Sequence, residues 1–415
     1  MMASRTFCVV KDVLAMSHTV GLTMATFLAY ILPPFVCQYL MGVLVQLEGT
    51  RFYRLALLPV TLCFAWRATF VDLAGGDPAL AQKNTQLVTQ MGSMATRSAV
   101  WAFTRLRYER HFPPVGHNRN KSDSGRLYTA CWNTWDLLIN PRGIGWNWPR
   151  GLVVPKPASS STDSRIAFVL SSAIVFVFHI VAFDACMQTV RSMSPDTFGS
   201  VQGGSLFDHT LPPVLELSRA VFISLLVVAS AYFGLQYIYN FLAIVCVIAF
   251  HQHPSQWPPL FDAPWLSTSL SELWGRRWHQ MVRDMVFTLG YRPFQFLFGP
   301  LGGLVGAFSV SGVFHNMELG RGGYAVVVLG FWAMNGVGVA LERVWKRVTG
   351  RRVGGMWGRA WMVGWLLLWG IPMVNVYAEV GRFSAMSVVG GYEPSLALVG
   401  FVRRCIGVEG SWWAR

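Results

Sequence analysis

The sequence predicts an all-α, polytopic integral membrane protein with about seven to nine transmembrane helices around a buried chamber. Of its 415 residues, 53% are hydrophobic and only 13% are charged. Soluble domains carry roughly 25% charged residues, so this composition excludes an ordinary soluble protein. Apolar runs of roughly 20 residues recur along the chain, which is the length that a helix needs to cross the hydrocarbon core.

The candidate spans follow one another along most of the chain. The segment at 217–250 is long enough for two helices or for one long tilted helix, and 35–47, after Pro33-Pro34, is long enough only for a half-span. The first apolar segment lacks a small-residue cleavage site, so we expect a retained helix rather than a signal peptide. The candidate spans lie near 14–33, 55–73, 165–185, 217–250, 294–316, 323–342 and 359–379.

The chain is expected to form a single membrane-embedded domain over 1–415, interrupted by a polar insertion at about 75–164. Within the insertion we expect helix at 82–112 and a solvated loop at 116–124, because the latter is rich in Gly, Asn, Ser and charged residues. No internal repeat and no sheet are expected.

The basic residues constrain the partners. The formal net charge is +14, and only five of the 34 basic residues are lysine. Arginine favours bidentate contacts with phosphate and carboxylate groups. Because the arginines lie in short loops between apolar segments, we expect lipid headgroups or a phosphorylated cosubstrate as partners, and no nucleic acid. The seven cysteines are scattered without a CxxC pair, which supports neither a disulfide framework nor a zinc site, and we expect no bound metal.

A histidine directly follows a long run without charged residues. No charged residue lies between Phe294 and Phe314, and His315 follows directly. On a helix, Ser311 and Glu318 would share one face with His315. Ionisable groups at membrane depth are costly and commonly functional, so we interpret this stripe as a proton-transfer site. The alternative is a packing histidine whose ring is satisfied by a neighbouring carbonyl.

Residues 269–283 predict an amphipathic helix. Trp274 and Trp278 would lie on its apolar face, with Met281 and Met285. The other face would carry Glu272, placed to orient His279, together with Arg276 and Arg283 as phosphate ligands. The alternative is a helix that lies in the membrane interface. A second polar segment, 139–148, is either an interfacial tryptophan loop or a substrate contact.

Three motifs, in this order, resemble one family. Arg142-Gly143-Ile144-Gly145-Trp146 is followed by Trp274-Gly275-Arg276-Arg277-Trp278-His279-Gln280 and then by Ser-Gly-x-x-His ending at His315. This arrangement resembles the wax-synthase-like branch of the membrane-bound O-acyltransferases, and especially fungal members that acetylate terpenoid and meroterpenoid alcohols. The likeness extends over about 50–380. Asn316 departs from the His-Glu pair common in plant relatives, which leaves the acceptor class open.

The resemblance implies the site and the reaction. His315 matches the family's catalytic histidine, and His279 matches its second polar catalytic position. The implied reaction is transfer of an acyl group, expected to be acetyl, from acyl-CoA to a hydroxyl of a hydrophobic secondary metabolite in the endoplasmic reticulum. Acyl-CoA would be a cosubstrate, and no permanently bound cofactor is expected. The residues expected to bind substrate or CoA are Trp274, Arg276, Arg277, Trp278, Gln280, Arg283, Ser311 and Asn316, with Glu272 and Glu318 as orienting carboxylates.

Two other functions remain open. The same chemistry could use a fatty acyl-CoA and a long-chain alcohol or diacylglycerol, as in a wax ester or neutral lipid synthase. Alternatively, Gly299-Pro300 could mark the broken helix of a transporter without chemistry. None of the nine histidines has Asp four positions later, and neither Gly-x-Ser-x-Gly nor His-Glu-x-x-His occurs, so the corresponding soluble acyltransferases, serine hydrolases and metalloproteases are not indicated.

Overall fold

The computed structural model describes residues 19–77, 80–111, 123–149, 151–155, 164–317, 319, 324–388 and 393–398. These residues group into two compact units. The first contains the described residues of 1–110, 114–148 and 314–321, and the second contains the rest. The solvated loop predicted at 116–124 falls mostly outside the described residues.

The described residues of the first unit include four long helices. Helix α1 runs unbroken from Met24 to Leu44, through Pro33-Pro34, so the expected break between a full span and a half-span is absent there. Its first turns are widened into a π-helix at Phe27–Ile31. Two parallel two-residue strands, β1 (Val20–Gly21) and β2 (Val71–Asp72), are a small departure from the all-helical expectation. The other helices are α2 (Arg51–Ala68), α3 (Gln82–Phe103) and α4 (Asp123–Ile139).

A buried arginine, Arg54, and a half-buried one, Arg97, stabilise the helix ends of the first unit. The guanidinium of Arg54 donates to the carbonyls of Trp101 and Thr104, at the end of α3. Arg97 donates to the carbonyls of Leu137, Leu138 and Asn140, at the end of α4. The last carbonyls of a helix lack partners within it and carry partial negative charge, so a cation there is favourable. These two arginines therefore bind backbone carbonyls within the fold.

The second unit contains the longest helices. Helix α6 is one continuous helix of 37 residues, so the segment at 217–250 forms one long helix and not two. At 1.5 Å per residue it is about 55 Å long, well beyond the hydrocarbon thickness. It packs along α5, where Tyr237 contacts the rings of Phe176 and Phe183. The long helices of this unit are α5 (Arg165–Ser192), α6 (Pro213–Ala249), most of α7 (Arg292–Met317), α8 (Ala325–Thr349) and α9 (Gly355–Glu379).

The fold class is confirmed: the described chain is helical, and six of its helical segments are long and apolar enough to cross a membrane. The chain is an integral membrane protein by this measure. Helix α2, at the candidate span near 55–73, is not among the six, and it carries Arg51, Arg54 and Arg67. The six segments are Met24–Leu44, Arg165–Ser192, Pro213–Ala249, Arg283–Met317, Ala325–Thr349 and Gly355–Glu379.

The segment predicted as one span at 294–316 is instead a helical hairpin. Gly299 has φ 72° and ψ −176°, a conformation open essentially to glycine, and α7 turns back there. A Cβ placed on Gly303 would lie 3.0 Å from the Gln295 Cβ, and one on Gly290 would collide with the backbone of Gly306. Residues 16 positions apart touch only if the two limbs are antiparallel. Phe296, three residues before Gly299, is apolar and 90% exposed.

Candidate active site

The prediction of one amphipathic helix over 269–283 is wrong. A short helix, Leu270–Glu272, continues as a π-helix over Leu273–Arg277 and ends at Trp278, whose backbone is extended. The Trp278 N–H closes the π turn on the Leu273 carbonyl at 2.7 Å. Helix resumes only at Arg283–Met285. The two faces inferred from a 3.6-residue period therefore do not exist beyond Arg277, and His279 lies in a non-helical connection that the π turn positions.

Glu272 contacts other groups than those expected. Its carboxylate accepts the Thr268 N–H at 2.9 Å, the Thr268 hydroxyl at 3.0 Å and Arg277 Nε at 2.6 Å. Burial raises the pKa of Glu272, but these hydrogen bonds outweigh burial and leave that pKa below its ordinary value. The helical face predicted to place Glu272 next to His279 is therefore absent. Glu272 instead links Thr268, before the π turn, to Arg277 at its end.

The two adjacent arginines have different surroundings. Arg277 is 15% exposed, and besides Glu272 its Nη1 donates to the Asp262 carbonyl at 3.0 Å. Arg276 is 56% exposed, and its Nε donates to the Asp262 carboxylate at 2.8 Å. Arg277 is therefore committed to the loop architecture and is a poor phosphate ligand. Arg276 has an exposed guanidinium beside the turn. Of these two arginines, only Arg276 therefore remains a candidate ligand for a phosphate group.

Two buried polar residues of α8, which the sequence analysis did not select, hold the π turn in place. Asn335 Oδ1 accepts the Trp274 indole N–H at 3.0 Å, and its own amide donates to the Phe331 carbonyl. Glu342 accepts the backbone N–H groups of Leu270 at 2.7 Å and Ser271 at 2.9 Å. The sequence signal that could have identified Asn335 and Glu342 is that each is a polar residue within an apolar segment.

Trp274 is a core residue. Its ring lies 5.3 Å from the Trp332 ring and 6.1 Å from the Phe308 ring, and the side chain belongs to the buried cluster around Leu270, Leu273 and Leu304. Trp278 joins the same cluster, with its ring 5.9 Å from that of Trp274. The expected apolar pairing of the two tryptophans is present, but it packs the turn onto α7 and α8.

His279 lies beside a chain of aromatic rings within the second unit. Its ring is 5.8 Å from the Phe261 ring, edge to face, and 5.9 Å from the Trp278 ring. Phe261 is buried and in turn contacts Tyr232 of α6 at 4.7 Å. The Tyr232 ring is 6.1 Å from His179 of α5, whose Nδ1 lies 3.2 Å from the amide of Asn240. A hydrophobic aromatic surface therefore extends from two long helices to the candidate histidine.

Gln280 and Arg283 complete the turn after His279. The Gln280 amide donates to the carbonyls of Trp278 at 3.2 Å and Trp274 at 3.4 Å. Its Oε1 accepts Arg283 Nη1 at 3.0 Å. A Cβ on Gly151 would lie 3.0 Å from Arg283 Nη2, so this guanidinium packs against the backbone. Both residues hold the connection that carries His279.

The second predicted histidine lies near the end of α7. Ser311 is buried, His315 and Asn316 are half-buried, and the His315 ring is 5.9 Å from the Phe314 ring. Ser311 and His315 are one helical turn apart, as predicted, whereas Glu318 lies outside the described residues. His315 groups with the first unit and His279 with the second, so a chamber shared by the two rings stays a prediction.

The Arg-Gly-Ile-Gly-Trp motif folds as a loop within the first unit. Gly143 and Gly145 have φ of 66° and 81°, which explains why glycine occupies both positions. The Trp146 indole donates to Asp136 Oδ2 at 2.7 Å, and Arg110 pairs with Asp136 Oδ1 at 2.9 Å. Trp146 is buried, as are Arg142 and Trp148, so the interpretation as an interfacial tryptophan loop is wrong.

Comparisons with known proteins agree with these motifs. A family model described as the membrane bound O-acyl transferase family matches residues 257–324, which include the π turn, His279 and His315. Acetyltransferase aurG of Calcarisporium arbuscula is 32% identical over 155 residues, covering 33% of this chain and 37% of that protein. Acetyltransferase ple2 of Rhodocybe pseudopiperita is 24% identical over 253 residues, covering 56% of this chain and 63% of the relative.

A plant protein is also similar. The long-chain-alcohol O-fatty-acyltransferase of Simmondsia chinensis is 34% identical over 106 residues, covering 23% of this chain and 30% of its own length. The chain thus spans less than two thirds of the length of each of these three relatives. The matching segment and its relatives confirm the resemblance of this chain to wax-synthase-like members of the membrane-bound O-acyltransferase family.

Proposed function

We propose that the protein is a membrane-bound O-acyltransferase that moves an acetyl group from acetyl-CoA to a hydroxyl of a hydrophobic secondary metabolite, a terpenoid or meroterpenoid. The observation that carries the proposal is the turn at 269–283, which holds His279. This turn lies within the segment matched by the family model. An endoplasmic reticulum location belongs to the same proposal.

The proposed chemistry needs a base and an oxyanion donor. An alcohol is a weak nucleophile near neutral pH, so His315 takes the hydroxyl proton as the oxygen attacks the thioester carbonyl carbon. The C–S bond then breaks, and the CoA thiolate leaves with the proton returned from the imidazole. His279 donates a hydrogen bond to the developing oxyanion, a contribution on the order of 3 kcal/mol. No covalent acyl-enzyme is needed.

The surroundings of His279 favour a hydrophobic acceptor. Phe261, Tyr232 and Trp278 place aromatic rings next to the imidazole, and His179 adds a polar ring within an apolar surface. Rigid apolar ring systems bury area against such side chains at low entropic cost. Trp278, Ser311 and Asn316 remain proposed substrate contacts, and Arg276 is the proposed contact to a CoA phosphate.

The test is acetyl transfer in isolated membranes. Microsomes containing the full chain are incubated with labelled acetyl-CoA and a pool of hydroxylated terpenoids, and products are analysed by mass spectrometry for the gain of one acetyl group. His315→Ala is expected to reduce the rate by roughly 100-fold or more, the usual size of a general-base effect. His209→Ala is the matched control, because its ring is 89% exposed on a loop. Normal turnover by His315→Ala would refute the assignment.

A second candidate keeps the chemistry and changes the substrates. The Simmondsia chinensis relative is named for transfer of a fatty acyl group to a long-chain alcohol, which favours testing a fatty acyl-CoA. Equal concentrations of acetyl-CoA and palmitoyl-CoA, supplied together with a terpenoid alcohol and a long-chain alcohol, separate the two activities by product mass. Uptake of the alcohol into vesicles without modification would indicate the transporter alternative instead.

A further inference from the structure

A basic turn joins α8 to α9. It consists of six cations within 17 residues, and all six side chains are exposed. Gly350, with φ 72°, ends α8, and α9 begins at Gly355, so the turn between the helices is short. The members of the basic turn are Arg343, Lys346, Arg347, Arg351, Arg352 and Arg359.

The charge of the basic turn is not neutralised by the chain nearby. The sequence has no Asp or Glu between 343 and 378. Glu342, which precedes the turn, is buried, and its oxygens already accept hydrogen bonds from Leu270, Ser271 and Trp361. Among the described residues, no salt bridge involves any of the six cations. Six exposed positive charges therefore lie at or near this end of α8 and α9.

Large apolar side chains are interleaved with these cations. Met356 and Trp357 are 86% and 87% exposed, at the start of α9, and Trp345 and Val348 are exposed at the end of α8. Both helices are of membrane-spanning length and composition. Exposed tryptophans and basic residues at the ends of such helices are the pattern of a water–lipid boundary. A soluble phosphate ligand would instead need donors that converge in a recess.

We propose that the basic turn binds the headgroups of anionic phospholipids, with Trp345, Met356 and Trp357 inserted among the lipid chains. Anionic lipids are concentrated in the cytoplasmic leaflet, so the proposal places this end of α8 and α9 on the cytoplasmic side. Glu342 binds Leu270, and a Cβ on Gly358 would collide with the Thr268 carbonyl, so the short helix that precedes the π turn lies at the same end.

Lipid selection can be measured directly on the purified full-length protein. The protein is equilibrated with micelles containing equal amounts of phosphatidylserine and phosphatidylcholine, and the lipids that it retains are counted by native mass spectrometry. We expect the unmodified protein to retain phosphatidylserine at least about threefold over phosphatidylcholine, and Arg351→Gln/Arg352→Gln to lose at least half of this preference. Arg51→Gln/Arg105→Gln is the matched control, because both arginines are exposed and lie in the first unit.

Three outcomes would overturn the proposal. The first is equal retention of the two lipids, and the second is an equal loss of preference in the control variant while both variants keep the thermal stability of the parent. The third is displacement of phosphatidylserine by free coenzyme A or by inorganic phosphate, which would make the turn a site for a soluble phosphate. Orientation is tested with an epitope inserted between Arg351 and Arg352. Protease should remove it from sealed microsomes, and protection would contradict the cytoplasmic assignment.

Discussion

The Glu342 carboxylate accepts the backbone N–H of Leu270 at 2.7 Å, a contact between residues 72 positions apart. It also accepts the Ser271 N–H and the Trp361 indole N–H, so one buried acid joins α8, α9 and the short helix that precedes the π turn. The first N–H groups of a helix lack intrahelical partners and attract negative charge. Glu342 therefore fixes the position from which the chain proceeds to His279.

Removing this carboxylate should destabilise the second unit. Glu342→Ala leaves one buried and two half-buried donors without their acceptor, and a fully buried group of this kind costs about 1–3 kcal/mol. Glu342→Gln keeps one acceptor oxygen and should lose less. Thermal unfolding of the detergent-purified protein measures both, with Glu48→Gln as the control, because Glu48 is in an exposed ion pair with Arg107. Equal melting temperatures for Glu342→Ala and the control would contradict the role assigned to Glu342.

The hairpin apex should tolerate only glycine. At Gly299, φ 72° and ψ −176° lie in a region that a Cβ makes unfavourable by about 1–3 kcal/mol. Gly299→Ala is therefore expected to lower the melting temperature and the yield of folded protein. Gly330→Ala is the control, because it lies within α8 and an added Cβ would meet no atom within 4 Å. If the two variants are equally stable, α7 does not turn at Gly299.

The hairpin also shows what the sequence could and could not predict. Hydrophobic runs locate membrane helices well, because a spanning backbone must satisfy its own hydrogen bonds, and most predicted spans overlap observed helices. An apolar run carries no signal for a reversal, however, since both limbs face lipid or protein. Gly299-Pro300 was compatible with close packing, a kink or a turn. Contacts between residues such as Gly303 and Gln295 are needed to decide.

The local geometry expected around His279 differs from the structure. Two of the three motifs, at 274–280 and 311–315, lie within the segment that the family model matches, yet the helical period assumed for 269–283 fails where the π turn ends at Trp278. Hydrophobic spacing cannot reveal a π turn, because the extra residue per turn is stabilised by tertiary contacts such as that of Trp274 with Asn335. Arginine-rich composition likewise did not show that Arg277 braces a loop.

Acid should weaken the π turn through Glu272. Its pKa is lowered in the folded protein, so its contribution to stability is present above the ordinary carboxylate pKa of 4.5 and is lost as pH falls through the lower folded value. The melting temperature should therefore fall more steeply below about pH 4.5 in the parent than in Glu272→Gln. Parallel curves for the two proteins from neutral pH to about pH 3 would show that Glu272 adds no pH-dependent stability.

Variants of Arg276 and Arg277 should distinguish binding of acetyl-CoA from structural support of the π turn. Arg277→Lys loses the Nε bond to Glu272 and the Nη1 bond to the Asp262 carbonyl, so we expect lower stability and lower kcat. Arg276→Gln removes an exposed cation and should raise the KM for acetyl-CoA about three- to tenfold with little change in stability. A raised KM for Arg277→Lys alone would reverse the assignment of the two arginines.

Phe261 should position the imidazole of His279. Its buried ring contacts His279 at 5.8 Å and Trp278 at 4.9 Å, and edge-to-face contacts of this kind contribute about 0.5–1.5 kcal/mol. Phe261→Leu keeps an apolar side chain but loses these contacts, so we expect kcat to fall by up to roughly tenfold and the KM for the acceptor alcohol to rise. Phe250→Leu is the control, because Phe250 is exposed at the end of α6. Steady-state acetylation at varied acceptor concentration, with folding checked by melting temperature, measures both constants. An unchanged kcat and KM in a folded Phe261→Leu protein would mean that the aromatic surface beside His279 serves packing alone.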